Sequence, residues 1–271
     1  MEVLAHEDNL FHLSTNLCAE HRRAVLDGVR ARLRKGEPCL LVSTQCVEAG
    51  VDLDFPEVYR ALGPLESVAQ AAGRCNREGR MSRLGRVTVF EPEEDGGWRK
   101  RYPTHAYYQA AEVTRSMLSR DGDLDIGDPA IFRAYYRQLY DLTNPASQNK
   151  DLNDAIAARD FPEIARLYRL IDQDAIQVLV PWSKKNELVQ DLREEAEREG
   201  IGGSWMRRAQ HLAVSIYRPR AGHPAWGILI PARFRRGGLS DEWFLLEDPH
   251  GDHYDDTLGL VLPESEQVFI A

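Results

Sequence analysis

Ser43-Thr-Gln-Cys-Val-Glu-Ala-Gly-Val-Asp-Leu-Asp-Phe55 and, after a short gap, Gln70-Ala-Ala-Gly-Arg-Cys-Asn-Arg77 form the stretch from which a fold can be read. The first block follows Cys39-Leu-Leu-Val42, an apolar run with the length and composition of a buried strand. Polar residues that begin where such a strand ends fall at its carboxyl edge, the edge at which open α/β sheets bind ligands. Glu48, Gly50, Asp52 and Asp54 read as a turn with paired acids, and Gly50 can take a backbone conformation that other residues resist. In the second block Gln70, Gly73, Arg74 and Arg77 recur at spacings of three and four, so a helical turn would present them on one side. Two arginines a turn apart, with a glutamine, suit a polyphosphate whose charge grows in a transition state.

Working outward, Leu10-Phe-His-Leu13 has the pattern of a short strand. Ser14-Thr-Asn16 supplies N-cap residues for a helix from about Ala19 to Arg34, stopped at Lys35-Gly36. Val25, Val29 and Leu33 make its apolar stripe, and His21, Arg22, Arg23, Arg30 and Arg32 are expected to stay polar. Arg86-Val-Thr-Val-Phe90 alternates as a strand should. Residues 8–91 therefore read strand, helix, strand, helix, strand, which implies a parallel sheet covered by helices. Arg74, Arg77, Arg80, Arg83 and Arg86 recur every third residue and make a basic strip, either phosphate-facing or simply solvated.

Tyr102 to about Leu142 is helical in pattern, and its Tyr135, Tyr136 and Tyr140 read first as core rather than as a base-stacking ladder. Thr143-Asn-Pro-Ala-Ser147 breaks it, and short helices follow over 152–158 and 161–170. Ala175-Ile-Gln-Val-Leu-Val180 starts a strand, a helix runs from Asn186 to Arg198, and four further strand-like runs are separated by Gly, Pro and Asp turns. The expected fold class is α/β: a parallel sheet with flanking helices, then a helical linker and a small α+β domain with a mostly antiparallel sheet. The boundaries fall at 1–98, 99–172 and 173–271.

At 271 residues the chain is long enough for two ordinary domains. Its net charge of −9 argues against indiscriminate coating of nucleic acid. No apolar run is long enough to span a bilayer and no secretory pattern opens the sequence, so the expectation is a cytoplasmic protein without a membrane partner. Cys18, Cys39, Cys46 and Cys75 lack Cys-x-x-Cys spacing and read as reduced thiols. His250, Asp252, His253, Asp255 and Asp256 lie close together, but a polar turn before a strand explains them as well as a metal does, and no metal ligand is assigned. Arg233, Arg235 and Arg236, ahead of Gly237-Gly238, read as an exposed hairpin tip in preference to a DNA guide.

The two opening blocks resemble motifs V and VI of superfamily 2 helicases, and most closely those of the type I CRISPR-associated helicase–nuclease family. Val58-Tyr-Arg-Ala-Leu-Gly-Pro64 fits the same resemblance, as do Ile-Gln-Val-Leu-Val-Pro-Trp182, Ala213-Val-Ser-Ile-Tyr and Tyr254-Asp-Asp-Thr-Leu-Gly-Leu, which are similar to the family's C-terminal accessory domain. The resemblance implies that the parallel sheet is a partial RecA-like one, and it implies roles. Arg74 and Arg77 would be the arginine fingers and Gln70 the sensor of the γ-phosphate. Gly50 and Asp52 would face the nucleotide, Thr44 and Gln45 the DNA, and Glu48 would couple the two. Ser14 and Thr15 would touch the backbone of single-stranded DNA in motif IV, although helix capping accounts for the same residues. The family's common Arg after the motif VI Gln is Ala71 here, which removes a third phosphate contact.

The sequence has neither Gly-x-x-x-x-Gly-Lys-Ser/Thr, nor an Asp-Glu-x-His or Asp-Glu-x-Asp box, nor the paired His-Asp of the family's nuclease. The resemblance thus implies one wall of an ATP·Mg²⁺ site, with cofactor bound only in the complete enzyme. The expected partners are single-stranded DNA, the CRISPR RNA-guided surveillance complex, and the missing nuclease domain and first helicase lobe. Alone, the chain is expected to show no ATPase, helicase or nuclease activity. The alternative is a non-catalytic module that holds single-stranded DNA or docks on the surveillance complex. A lobe short of its first strand would also expose a sheet edge or apolar face, so association through it is expected.

Overall fold

A computed structural model describes residues 9–48, 50–79, 81–82, 85–93, 102–144, 149–168 and 174–263. Their backbone contacts gather into two compact units, one holding the described residues up to Glu48 together with those from Asp174 onward, the other holding Gly50 to Tyr168. The grouping cuts across chain order, because the first helix packs its face with apolar residues from the last third of the sequence.

In the first unit β1 (Leu10–Leu13) and β2 (Leu40–Ser43) pair in parallel, Leu10 opposite Leu40 and Leu13 opposite Ser43. They are joined by α1 (Ala19–Lys35), which ends where Gly36 takes φ +68. The N-cap of α1 is Cys18, which makes no side-chain capping bond, so Ser14-Thr-Asn16 do not cap the helix. Ser14 instead accepts the Asn16 amide in a turn of its own. Nor is β2 the buried strand its composition suggests: Leu40 is 47% exposed and Val42 43%. Apolar content predicts burial only when a second layer covers the face.

β5 (Ala175–Leu179), β6 (Ala213–Tyr217), β7 (Leu229–Arg233) and β8 (Leu239–Leu246) form one sheet in the order β6-β5-β8-β7, parallel only at β5–β8. α7 (Asn186–Arg198) buries Val189, Leu192 and Ala196, and α8 (Gly203–Ala209), which has no clear periodicity in the sequence, buries Trp205. Trp205 donates its indole N–H to the Leu192 carbonyl at 2.8 Å and meets Trp243 edge-on. Arg235, which reads as an exposed hairpin tip, is tied back to α7 through Glu195 and Glu199.

α1 joins this core through a residue whose polarity misleads. His21 is 4% exposed, stacks on Trp182 at 5.0 Å and lies with Nδ1 3.0 Å from the Tyr254 hydroxyl. Burial holds its pKa below the ordinary histidine value, against the pull of Asp256 and Asp255. The short hairpin of β9 (Tyr254–Asp255) and β10 (Gly259–Leu260) completes the contact, with Leu260 donating to the Asn16 carbonyl at 2.8 Å. Gly259 sits at φ +80, and a Cβ there would meet Asn16 O at 2.3 Å, so only glycine lets the two segments close. The acidic turn before the hairpin is organised by Asp248, whose carboxylate accepts the amides of Asp252, His253 and Tyr254.

In the second unit β3 (Glu57–Ala61) and β4 (Arg86–Phe90) pair in parallel around α2 (Leu65–Ala72). β3 is a strand the sequence pattern does not announce, since Tyr59 and Arg60 interrupt its apolar alternation. Among the described residues the helices that follow are α3 (His105–Asp121), α4 (Pro129–Thr143), α5 (Lys150–Ala158) and α6 (Phe161–Leu167). Thr104 and Asp128 cap α3 and α4 with their side chains. A core of Leu65, Ala110, Val113, Met117 and Tyr135 holds α2, α3 and α4 together. Of the three α4 tyrosines read as core, only Tyr135 is; Tyr136 and Tyr140 face solvent.

Candidate functional site: motif residues at two strand edges

The residues expected to meet DNA collect at the carboxyl edge of the β1–β2 pair. Thr44 follows β2 and donates its amide to the Leu13 carbonyl at 3.0 Å, which sets it beside the segment that opens with Ser14. Gln45 starts a 3-10 turn that ends at Val47, closed by the Glu48 amide on the Gln45 carbonyl. Cys46 points back, its thiol 3.3 Å from the Leu13 carbonyl. Thr15 and Thr44 are exposed and Gln45 and Glu48 half-buried, whereas Ser14 is 4% exposed with its hydroxyl engaged by the Asn16 amide. The accessible hydroxyls on this edge are therefore those of Thr15 and Thr44.

The second unit brings together the residues expected to meet nucleotide. Gly50 takes φ +72 with open space where a Cβ would be, so its role is to turn the backbone, not to admit a neighbour. The chain then runs beside the motif VI segment. Phe55 donates to the Arg74 carbonyl at 2.8 Å and accepts from the Asn76 amide at 2.9 Å. The Arg77 amide donates to Asp54 Oδ1 at 2.7 Å, and the Arg77 guanidinium pairs with Asp52 at 3.0 Å and reaches the Val51 carbonyl at 3.4 Å.

This lacing corrects the expectation of one helical face. α2 stops at Ala72, Arg74 lies in the turn after Gly73, and Asn76 takes φ +46, a left-handed conformation that asparagine tolerates. Helical periodicity does not reach Arg77. It is positioned by Asp52 and Asp54, two acids whose alternate spacing in the sequence was the one available signal. Gln70 stands exposed on the last turn of α2, Arg74 is half-buried and Arg77 exposed. The Cys75 thiol beneath them contacts the carbonyls of Pro56 and Arg86, and burial, then Asp54 and Glu57, raises its pKa, so it is a neutral packing group. Of the basic strip, Arg80 and Arg83 lie outside the described residues.

An exposed ion pair such as Asp52–Arg77 is worth about 0–1 kcal/mol. A phosphate with more charge and more acceptor oxygens can draw the guanidinium off it. Together the loop offers two guanidiniums and an amide to an anion. Among the described residues no group of three His, Cys, Asp or Glu side chains gathers as a metal site. No helix among them is long and apolar enough to cross a membrane.

The chain is similar in sequence and fold to known proteins. Residues 2–80 match the family described as CRISPR-associated nuclease/helicase Cas3, C-terminal. The chain is 33% identical over 126 residues to a CRISPR-associated nuclease/helicase Cas3 of Haloferax volcanii, covering 41% of this chain and 13% of that protein. It is 27% identical over 224 residues to the Cas3 endonuclease/helicase of Thermus thermophilus, covering 74% and 24%. Each match thus spans a quarter or less of its relative. Among solved structures, T. fusca Cas3 aligns over 96% of this chain and 36% of its own, with TM-score 0.60 and 18% identity. A chain of a CRISPR RNA-guided surveillance complex, pre-nicking, aligns over 96% and 38%, with TM-score 0.55 and 17% identity. These likenesses establish the mixed α/β fold.

Proposed function

Because the chain belongs to the C-terminal helicase region of the CRISPR-associated Cas3 family, we propose that it supplies one wall of an ATP site and part of a single-stranded DNA track. The observation that carries this reading is the lacing of residues 51–55 to 74–77, which holds Arg77 on Asp52 beside the half-buried Arg74. Bound ATP with its magnesium would supply the phosphoryl chemistry. Arg74 and Arg77 would hold the terminal phosphate and offset its growing charge, with Gln70 reading its presence. Asp52 keeps Arg77 oriented until a phosphate replaces it, and Asp54, bound to the Arg77 amide, keeps the backbone in place during that exchange. Thr15, Thr44 and Gln45 would bear on the DNA backbone, and Glu48 would link the two. Ser14 joins them only if its turn opens. A first helicase lobe of the same family would bring the P-loop and the magnesium ligands, and an RNA-guided surveillance complex would bring the substrate strand.

The test is single-stranded-DNA-stimulated ATP hydrolysis by this chain alone and after mixing with the first helicase lobe of the same family. Silence alone and turnover on mixing is the expected result. Arg74→Ala and Arg77→Ala should each lower the mixed activity by about 10²–10³-fold. Unchanged turnover in both variants would refute the arginine roles. DNA binding with no turnover on mixing would leave a binding module instead of a half-enzyme.

A further inference from the structure

α4 divides its surface sharply. Its inward face, Ile131, Phe132, Tyr135 and Leu139, packs on α2 and α3. Its outward face carries Arg133, Tyr136, Arg137 and Tyr140, at steps of three, one and three, and all four are exposed. Tyr140 is 61% exposed, unusual for an aromatic ring on a helix that already fills a core with its other side. The two exposed rings lie 6.4 Å apart at an interplanar angle of 34°. Tyr136 is braced edge-on by buried Tyr135 at 5.1 Å, which restricts its rotation.

The arginines add a second observation. This is an acidic chain, and the side chains of Arg23, Arg115, Arg166, Arg208, Arg218 and Arg235, among others, are paired with carboxylates. Arg133 and Arg137 make no hydrogen bond or ion pair among the described residues. Two cations without counter-charge flank two exposed rings on one helix face. Asp141 is the acid on the same stretch of helix, and Glu66, from α2, acts on Tyr136 from the buried side.

We propose that this face of α4 is a stacking platform for single-stranded DNA, a contact separate from the Thr15, Thr44 and Gln45 edge and resting on the DNA-handling reading given above. The rings would each take a base face, and Arg133 and Arg137 the adjoining phosphates. The ring separation is roughly twice the ~3.4 Å advance per nucleotide of a stacked strand. Two rings therefore fit a stretched single strand, or alternate bases of a stacked one, and do not fit an intact duplex, whose bases present no open face.

Fluorescence anisotropy of a labelled oligothymidylate with the full chain tests the platform. Tyr136→Ala with Tyr140→Ala should weaken binding by about ten-fold or more, and Tyr136→Phe with Tyr140→Phe by less than about two-fold, because the ring and not the hydroxyl makes the stack. Arg133→Ala with Arg137→Ala should make the slope of log affinity against log salt shallower by about 1.4. All these side chains are exposed, and an unchanged thermal unfolding curve verifies the fold of each variant. Wild-type affinity in the double alanine variant, equal loss in the phenylalanine variant, or duplex bound as tightly as the single strand would overturn the platform. Thr44→Ala with Gln45→Ala separates the two claims: loss there with no loss at the tyrosines refutes the platform and leaves the motif contacts standing.

Discussion

The sheet of β5 to β8 and the two strand pairs that carry the motifs are built from similar residues yet are closed to very different degrees. Val178 and Leu179 of β5 are fully buried between α7, α8 and the facing loops, and Leu246 of β8 with them. Leu40 and Val42 of β2 and, in the other unit, Tyr59 of β3 and Phe90 of β4 stand open. The comparison teaches where stability and chemistry reside. The sheet of β5 to β8 has a continuous core, to which α1 contributes, whereas each motif-bearing pair offers an apolar strand face for something further to cover. The residues expected to handle phosphate and DNA sit at the edges of the less finished elements.

The strongest way to break this contrast is to cut a side chain from each region. Trp205→Ala should cost about 3–5 kcal/mol in denaturant unfolding, because it empties a fully buried site and removes the indole's hydrogen bond to the Leu192 carbonyl. Leu40→Ala should stay within about 0.5 kcal/mol, as expected of an exposed side chain. Similar losses at both positions would mean that β2 is covered after all.

Acid should single out the first unit. The depressed pKa of His21 means that the unfolded chain takes up its proton near pH 6.5 while the folded chain does not. Stability is therefore unaffected by this group above that pH, and falls as pH drops below it, by up to about 1.4 kcal/mol per pH unit until the folded histidine itself titrates. His21→Gln should flatten the decline. An unfolding midpoint equally sensitive to pH in the variant would assign the effect elsewhere.

A smaller effect sharpens the site. A double-mutant cycle on Asp52 and Arg77 should return a coupling below about 1 kcal/mol, in keeping with a pair meant to be released. At the open strand faces, Leu40→Lys with Val42→Lys should reduce any self-association seen by light scattering at high protein concentration. A strictly monomeric wild type at every concentration would remove that expectation.

How far the sequence spoke for itself differs along the same line. α1 and α7 were legible to within a residue, because a strong 3.6-residue pattern meets a glycine at its end: Gly36 at φ +68, Gly200 at φ +79. The strand at Arg86–Phe90 was equally plain. β3 was not, since its exposed Tyr59 breaks the apolar alternation. His21 was assigned to the polar side of α1 because a histidine's partners, here Trp182 and Tyr254, lie some 160 and 230 positions away, where local pattern carries no information. Arg74 and Arg77 were expected on one helical face with Gln70, and that placement was misread: Arg77 is laced to Asp52 and Asp54 instead. Periodicity counts residues as if the helix continued, and Asn76 turns the chain before Arg77 is reached.

The Gly259–Asn16 contact has a consequence for how the molecule comes into being. The loop between β1 and α1 is translated well before the residues that complete it. Its Asn16 carbonyl and Cys18 amide find their partners only in Leu260 and Tyr254. Roughly 240 residues must be translated before that loop can be finished, at about 5–20 residues per second. For those seconds the nascent β1–α1–β2 segment carries its half-apolar strands unassisted, which makes it the stretch where a chaperone would be most needed during synthesis.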